Sequence, residues 1–199
     1  MIIVDVESTG VDAKLHSLLS VGALDFDNPT NQFYMECRAF EGAHVEDDAL
    51  VVAGFNEEQI HDPQKKTDRE VVEAFLEWMK TCQEWTLVGQ NPSFDRDFLQ
   101  QTAHRYHLDW PLAQRTIDLH TISYFLRLKA GKEIPRKNNH SALNLDSILA
   151  EVGLPTRAES HNALDDAKLE GEAFARLLTG KGLLAEYKGF TVPPDIGKL

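Results

Sequence analysis

Two acidic side chains stand two residues apart in the apolar segment Ile2–Glu7 near the start of the chain. Because alternate residues of a strand share one face, Asp5 and Glu7 would project side by side from the same surface. Two neighbouring carboxylates in an apolar setting repel each other and lose hydration, and a shared cation offsets both costs. The pair therefore indicates a cation site, the alternative being a strand end where both acids reach water.

A third acid lies on the apolar side of a predicted helix that starts at Pro92 and runs to about His107. At about 100° per residue, Asp95 falls near the middle of the apolar face, and Asp97 points about 160° away from it. A favourable interaction with the helix dipole explains an exposed acid in the first turn, as at Asp97. It does not explain an acid directed at the core, so Asp95 predicts a buried cationic partner.

The last predicted helix, from just after His161 to about Leu178, presents a choice between two adjacent acids. Asp165 lies opposite the apolar face of that helix, whereas Asp166 lies at the edge of the face, about 80° from its centre. Asp166 can therefore face a cleft, and His161 can reach the same cleft from the preceding loop. A lone histidine is more often a surface or capping residue, but its place beside an inward acid favours a chemical role.

These side chains require an α/β framework to bring them together. Alternating or continuous apolar patterns predict strands, and capping signals such as Thr67 with Glu70 predict helices between them. The predicted strands are Ile2–Glu7, Leu18–Phe26, Gln32–Phe40, Thr86–Gly89 and Thr116–Asp118, with a turn at Asp27–Thr30. Strands followed by alternating helices and strands imply an α/β domain with a mixed sheet.

Composition limits the classes of protein that the chain can belong to. Its 199 residues are 42% hydrophobic and 26% charged, which suits one globular domain and excludes collagen, coiled coil and general disorder. The net charge of −12 excludes the very basic DNA-coating proteins. No apolar run is long enough to span a membrane. Two distant cysteines and no leader-like N-terminus predict a cytoplasmic location.

Three segments of the chain resemble the motifs of the DEDDh, or DnaQ-like, family of 3′-to-5′ exonucleases. Residues 5–10 (DVESTG) resemble the family's D-x-E-x-T-G, and residues 161–167 (HNALDDA) resemble H-x-A-x-x-D-A. Residues 90–95 (QNPSFD), followed by Phe98 and Leu99, resemble H-N-x-x-F-D-x-x-F-L, with Gln90 where a histidine is common. The motifs occur in the family order and span nearly the whole chain.

This resemblance implies a ribonuclease-H-like fold with a five-stranded mixed central sheet flanked by helices. It implies two divalent ions, Mg²⁺ or Mn²⁺, held by Asp5, Glu7, Asp95 and Asp166, which are hard oxygen ligands. His161 would act as general base. The expected reaction is two-metal hydrolysis of phosphodiester bonds at 3′ ends of single-stranded DNA or RNA, which releases nucleoside 5′-monophosphates.

Substrate contacts are expected from three further motif residues. By the resemblance, Thr9 and Gly10 contact the terminal nucleotide, although a simple turn after the strand is an equal alternative for the glycine. Asn91 either contacts substrate or caps the turn before Pro92. The change of histidine to Gln90 is expected to alter how strand or substrate is held nearby, without abolishing activity.

The segment 127–137 concentrates cations, and five of the 20 lysines and arginines lie within its eleven residues. It is interpreted either as a mobile basic arm for the phosphate backbone or as a solvated loop. Residues 1–180 are predicted to form the exonuclease domain, with 181–199 as a short extension packed on it. Candidate partners are single-stranded 3′ ends and a polymerase or repair complex.

Two other functions compete with nuclease activity. An inactive nucleic-acid-binding or polymerase-associated scaffold of the same fold would not need all four acids and His161. An aspartyl-phosphate phosphotransferase would ordinarily have a second Asp at the position of Glu7. The acidic net charge remains compatible with nucleic acid, because two divalent ions would bring it to about −8.

Overall fold

The computed structural model describes residues 1–157 and 160–196. Its strands are β1 (Ile2–Ser8), β2 (Leu18–Asp25), β3 (Asn28–Arg38), β4 (Lys66–Thr67), β5 (Leu87–Gly89), β6 (Thr116–Asp118), β7 (Arg136–Lys137) and β8 (His140–Ser141). Its helices are α1 (Asp47–Ala53), α2 (Glu57–Ile60), α3 (Asp68–Trp78), α4 (Pro92–Arg105), α5 (Leu119–Lys129), α6 (Leu145–Glu151) and α7 (Ala163–Thr179).

The central sheet is mixed and has the strand order β4-β3-β2-β1-β5-β6. β1, β2 and β3 form an antiparallel meander, and β5 and β6 extend it in parallel on the other side of β1. The five predicted strands are all present. The sheet has six strands rather than five, because the two-residue β4 pairs in parallel with the end of β3. So short an edge strand gives no periodic signal in the sequence.

Helices cover both faces of the sheet. One cluster packs α3 and α4 against the even-numbered residues of β1, such as Val4 and Val6. A second cluster packs α5, α6 and α7 against the other face, at Ile3 and Val88. Asp5 and Glu7 share that second face with Ile3 because side chains alternate along β1. β1 therefore lies in the centre of the molecule with its two acids turned toward α7.

Some of the local structure predicted from the sequence is present, and some differs. The capping box of Thr67 and Glu70 is present, with the Glu70 amide donating to Thr67 Oγ1 over 3.1 Å. The turn expected at Asp27–Thr30 is tighter and earlier, since Asp25 pairs with Asn28 and β3 already begins there. The short helices α1 and α2 were not predicted. None of the helices in the described ranges is both long and apolar enough to cross a membrane.

The chain after α7 lies against the end of that helix. Gly180 ends α7 in the left-handed conformation, with φ of 69°, and the backbone amides of Leu183 and Leu184 donate to the Glu172 carboxylate. The backbone carbonyls of Tyr187 and Phe190 accept hydrogen bonds from Arg176. The division of the chain at residue 180 stays a prediction, and residues 197–199 of the extension lie outside the described residues.

Candidate active site

Asp5 and Glu7 project from the end of β1 that is farthest from the N-terminus. Glu7 is buried and Asp5 is half-buried. Their neighbour across the sheet is β2, where Asp5 pairs with Gly22 and Glu7 with Ser20. The expected arrangement of the two acids on one face is confirmed by their position opposite α7.

Asp95 reaches the same strand from α4. β5 ends at Gly89, so the backbone N–H of Val6 has no strand partner on that side of β1. The Val6 N–H donates to Asp95 Oδ1 over 3.0 Å instead. Asp95 is 4% exposed, and the side chain of Asp97 is 55% exposed, as the helical geometry predicted. The end of a short strand thus creates the position that Asp95 fills.

Asp166 is brought to β1 by close packing of α7 on the sheet. A Cβ atom at Gly22 would lie 2.1 Å from the backbone of Ala163 and Leu164, so only glycine allows the first turn of α7 to approach β2 here. Asp166 is 3% exposed, and the side chain of Asp165 is 70% exposed. Of the two adjacent acids, Asp166 is therefore the one in the cleft.

His161 enters the cleft from the loop before α7. Its backbone N–H donates to the Val52 carbonyl of α1 over 2.8 Å, and its Nδ1 lies 3.5 Å from Asp166 Oδ2. One ligand atom from each of Glu7, His161 and Asp166 falls within 4.8 Å of the others. α1, which the sequence did not predict, thus helps to position the histidine.

Mutual repulsion and burial shift the ionisation of the whole cluster. Burial, reinforced by the charges of Asp95 and Glu170, raises the pKa of Asp5 well above its usual range. Burial also raises the pKa of Glu7 and that of Asp95 to about 8 each, with nearby carboxylates adding to the shift at Glu7. The pKa of Asp166 is raised by burial, and the pKa of His161 is lowered by burial and by the Arg157 charge.

The cluster suits divalent cations. Four carboxylates from three elements converge, and burial raises the pKa of each of them. Oxygen ligands of this kind are preferred by Mg²⁺ and Mn²⁺. A metal ion adds positive charge, which is the physical reason for such a set of acids to be buried together. The described residues therefore fit the metal ions that the motifs imply.

Arg157 is a member of the site that the sequence analysis missed. Its guanidinium donates to Asp166 Oδ2 over 3.2 Å and contacts His161 Nδ1 at 3.3 Å. Two further hydrogen bonds, over 3.1 and 3.2 Å, tie it to Asp146 of α6. A single arginine in an irregular loop carries no periodic or motif signal, so only the three-dimensional structure reveals it.

The three predicted substrate residues lie in different environments. Thr9 is fully buried, its hydroxyl donating to the His44 carbonyl over 2.7 Å and accepting from the Ser17 amide over 2.8 Å. A Cβ at Gly10 would lie 2.2 Å from the His16 ring, so glycine is needed there for packing. Asn91 is exposed, and its φ of 57° suits asparagine. Nucleotide contact by these residues stays a prediction.

Asn91 is the residue before α4, its side chain makes no capping hydrogen bond to the helix backbone, and its role in the turn before Pro92 stays a prediction. Its side-chain oxygen accepts from the Ser93 hydroxyl over 2.9 Å, and no backbone amide of the helix start donates to it. Pro92 at the first position of the helix removes one amide that would need a partner. The Asn91 side chain is thereby held at the surface. The backbone N–H of Asn91 donates to Asp118, which places the residue beside the cleft end of β6.

Gln90 and Glu170 form a contact that links β5 to α7. The Gln90 backbone N–H donates to Glu170 Oε1 over 3.0 Å, and the Gln90 side-chain amide donates weakly to the Leu143 carbonyl at 3.5 Å. Glu170 is 2% exposed. It follows Asp166 by four residues, the spacing that places two side chains on one helix face. That spacing was the available sequence signal for a fifth acid near the cluster.

The basic segment is divided between paired and unpaired cations. Arg127 and Lys132 both lie 3.4 Å from Glu151, which holds them on the body of the protein. Arg136 and Lys137 form β7 of an exposed hairpin with β8, and neither has an acid within ion-pair distance in the described part of the chain. The base of this hairpin adjoins the cleft, where Ser141 Oγ lies 3.0 Å from His120 Nε2.

Comparisons with known proteins agree with this geometry. The family model described as Exonuclease (RNase_T) matches residues 2–174. The 3′-5′ DNA exonuclease Cap18 of Escherichia coli is 30% identical over 176 residues, which cover 86% of this chain and 87% of that protein. Ribonuclease T of Klebsiella pneumoniae is 28% identical over 193 residues, which cover 89% of this chain and 83% of that protein.

A solved structure shows the same architecture. The nuclease domain of 3′hExo, a DEDDh family member bound to rAMP, superposes with a TM-score of 0.68 at 21% identity. The match covers 92% of this chain and 93% of that one. It shows the fold, a mixed central sheet flanked by helices, and thus the ribonuclease-H-like architecture that the motifs implied.

Proposed function

The chain belongs to the DEDDh-type exonuclease family, and we propose on this premise that it degrades single-stranded DNA or RNA from the 3′ end with two divalent metal ions. The products would be nucleoside 5′-monophosphates. The observation that carries this proposal is the convergence of four carboxylates and one imidazole on one end of β1. No other set of described side chains combines these chemical groups.

The acids would act as metal ligands. Asp5 and Glu7 from β1, Asp95 from α4 and Asp166 from α7 would hold two Mg²⁺ or Mn²⁺ ions. Such ions acidify the attacking water and stabilise the charge on the leaving 3′ oxygen. The protein's part is to keep the four carboxylates close despite their repulsion, which it does by burying their backbones in the sheet and in two helices.

His161 would take the proton of the attacking water. Its lowered pKa keeps the imidazole neutral at physiological pH, so that a lone pair is available to accept a proton. Nδ1 is the nitrogen that faces Asp166, and the Arg157 guanidinium, which can only donate, occupies it at 3.3 Å. Proton transfer at Nδ1 therefore requires Arg157 to withdraw toward Asp146.

Substrate would reach the cleft along the β7–β8 hairpin. Arg136 and Lys137 are exposed, and the hairpin is joined to the cleft by the contacts of Ser141 with His120 and of Leu143 with Gln90. Cations in this position attract the phosphate backbone. Asn91, exposed at the start of α4, would contact the terminal nucleotides.

A catalytically inactive scaffold of the same fold is the second candidate that the sequence left open, and no observation favours it. All five residues of the proposed chemistry are present. Glu7, His161 and Asp166 offer ligand atoms within 4.8 Å of one another, and Asp95 accepts a hydrogen bond from the backbone of β1 at Val6, between Asp5 and Glu7. Cytoplasmic location and association with a polymerase or repair complex stay predictions. The names of the two relatives point to different nucleic acids, so cleavage of labelled DNA and RNA must decide between the two substrates.

The test is a panel of 5′-labelled single-stranded and paired DNA and RNA, incubated with Mg²⁺, Mn²⁺ or EDTA. We expect ladders that shorten from the 3′ end, release of 5′-monophosphates, preference for single strands and complete loss in EDTA. The Asp95→Asn variant serves as the control for contaminating nuclease. Cleavage that persists in EDTA, or that is equal in Asp95→Asn, would contradict the proposal.

A further inference from the structure

Glu170 is a fifth carboxylate at the metal cluster that the family motifs do not include. It lies on α7 one turn after Asp166 and is 2% exposed. Its Oε1 accepts the Gln90 backbone N–H over 3.0 Å. Through this bond, Glu170 fixes the turn that leads from β5 into α4, and so the start of the helix that carries Asp95.

The other oxygen of Glu170 has no hydrogen-bond partner in the described part of the chain. Oε2 is buried and accepts no hydrogen bond from the described residues, and the same is true of Gln90 Oε1. Buried polar atoms are nearly always hydrogen-bonded, so two unsatisfied acceptors on residues that contact each other require an explanation. Two acceptors need a donor, and an ordered water molecule is a small donor that can serve both.

Glu170 interacts electrostatically with the acids of the cluster. Its charge is among the causes that raise the pKa of Asp5, and the Asp95 charge in turn raises the pKa of Glu170. It also lies over the end of β5, where a Cβ at Gly89 would come within 2.8 Å of Oε2. Glycine at position 89 therefore leaves the space that this carboxylate occupies.

We propose that Glu170 is a positioning residue of the metal site, whose Oε2 accepts a hydrogen bond from a water molecule of a divalent ion held by Asp5 and Asp95. Hydrated Mg²⁺ keeps several of its waters when bound to protein, and carboxylates that hold such waters orient the ion. The inference rests on the proposed metal-dependent function. It adds a negative charge and an outer contact that the four ligands alone do not supply.

A structural role for Glu170 makes a different prediction. If the residue only holds the Gln90 amide and is neutral, glutamine has the same shape and can replace it without consequence. Glu170→Gln keeps the acceptor for Gln90 and removes the charge. The matched control is Asp165→Asn, which removes one charge from the same helix at a side chain that is 70% exposed.

The experiment measures Mn²⁺ affinity of the purified full chain by electron paramagnetic resonance of free Mn²⁺, together with melting temperature in EDTA. We expect the wild type and Asp165→Asn to bind alike and Glu170→Gln to bind about 10-fold or more weakly. The melting temperature of Glu170→Gln in EDTA should equal or exceed that of the wild type, because the substitution removes a buried charge that repels the neighbouring acids.

Two results would overturn the inference about Glu170. One is Mn²⁺ affinity of Glu170→Gln within twofold of the Asp165→Asn value. The other is a marked fall of melting temperature in EDTA without a selective loss of affinity, which would assign Glu170 to folding. Failure of the wild type itself to bind Mn²⁺ would instead contradict the proposed function, so that the two failures are distinguishable.

Discussion

The two halves of α7 bury acids in opposite ways. In the second half, Glu172 and Arg176 are 0% and 1% exposed, and Glu172 Oε1 accepts from Arg176 Nε over 2.8 Å. The other oxygen of Glu172 accepts two backbone amides, and the guanidinium donates to four backbone carbonyls. In the first half, Asp166 has Arg157 and His161 nearby, and one oxygen of Glu170 has no hydrogen-bond partner among the residues that the structure describes.

This difference separates a structural cluster from one that serves chemistry. The ion pair of Glu172 and Arg176 is buried with its hydrogen bonds satisfied, so it needs no further partner. Its hydrogen bonds to residues 183–190 hold the chain after Gly180 against the domain. Buried acids with fewer partners raise the free energy of the folded protein, and a bound cation offsets that cost. In the same helix, Glu172 and Arg176 thus stabilise the fold at one end, and the acids at the other end are suited to bind cations.

Removal of a proposed metal ligand should have the largest effect. We expect Asp166→Ala to lose about 10³-fold or more of the exonuclease rate, since metal ions contribute several kcal/mol to the stability of the transition state. The free energy of unfolding in EDTA should not fall, because one repelling charge is removed. Asp165→Ala, its exposed neighbour, is the control. Equal activity of the two variants would contradict the assignment of Asp166 as a metal ligand.

Removal of the buried ion pair of Glu172 and Arg176 should affect the stability of the fold rather than the exonuclease rate. Arg176→Ala leaves Glu172 buried and unpaired, which costs about 3–5 kcal/mol in free energy of unfolding, or about 10 °C in melting temperature. Arg69→Ala, at an exposed arginine paired with Glu73, should change stability by less than about 1 kcal/mol. Urea unfolding followed by circular dichroism measures both. A stable Arg176→Ala with reduced activity would reverse the roles of the two halves of α7.

The histidine next to Asp166 tests whether the first half of α7 performs proton transfer. His161→Ala should lower the rate by about 10²–10⁴-fold and leave Mn²⁺ affinity nearly unchanged. His61→Ala, at a histidine whose side chain is 61% exposed, is the control. In the wild type the rate should rise with pH through the lowered pKa of His161 and level off by neutral pH. Parallel loss of rate and affinity in His161→Ala would instead make His161 a metal ligand.

The metal-free protein should lose stability as pH rises. The pKa of Glu7 rises from 4.5 to about 8 on folding, and that of Asp95 from 3.8 to about 8. Between these values the folded state holds protons that the unfolded state has released, so stability falls from about pH 4.5 to about pH 8. Melting temperatures in EDTA should follow this fall, and Mg²⁺ should reduce it. A flat profile in EDTA would show that the acids are compensated without metal.

The sequence predicted the acids better than their surroundings. Strand alternation and helical geometry are local rules, so the shared face of Asp5 and Glu7 and the inward direction of Asp95 and Asp166 could be read from spacing alone. The short strand β4 and the helices α1 and α2 depend on tertiary contacts and left no periodic signal. The same holds for Arg157, whose role arises only when its loop folds over Asp146 and Asp166. The sequence also gave no sign of the roles of Gly22 and Gly89, because these glycines act by leaving space for α7.

The basic segment extends the comparison from acids to cations and should give the smallest effect. Arg136→Gln with Lys137→Gln removes two cations that have no acidic partner among the described residues, and we expect weaker binding of single strands, with the slope of log affinity against log salt reduced by about 1.4. Arg127→Gln with Lys132→Gln removes two cations that are held by Glu151, and should alter stability more than the slope. Fluorescence anisotropy with a labelled oligonucleotide in Ca²⁺ measures both slopes. Equally reduced slopes for the two double variants would mean that pairing with Glu151 does not decide which cations meet the substrate. An unchanged slope in the Arg136→Gln, Lys137→Gln variant would mean that the hairpin is only a solvated loop.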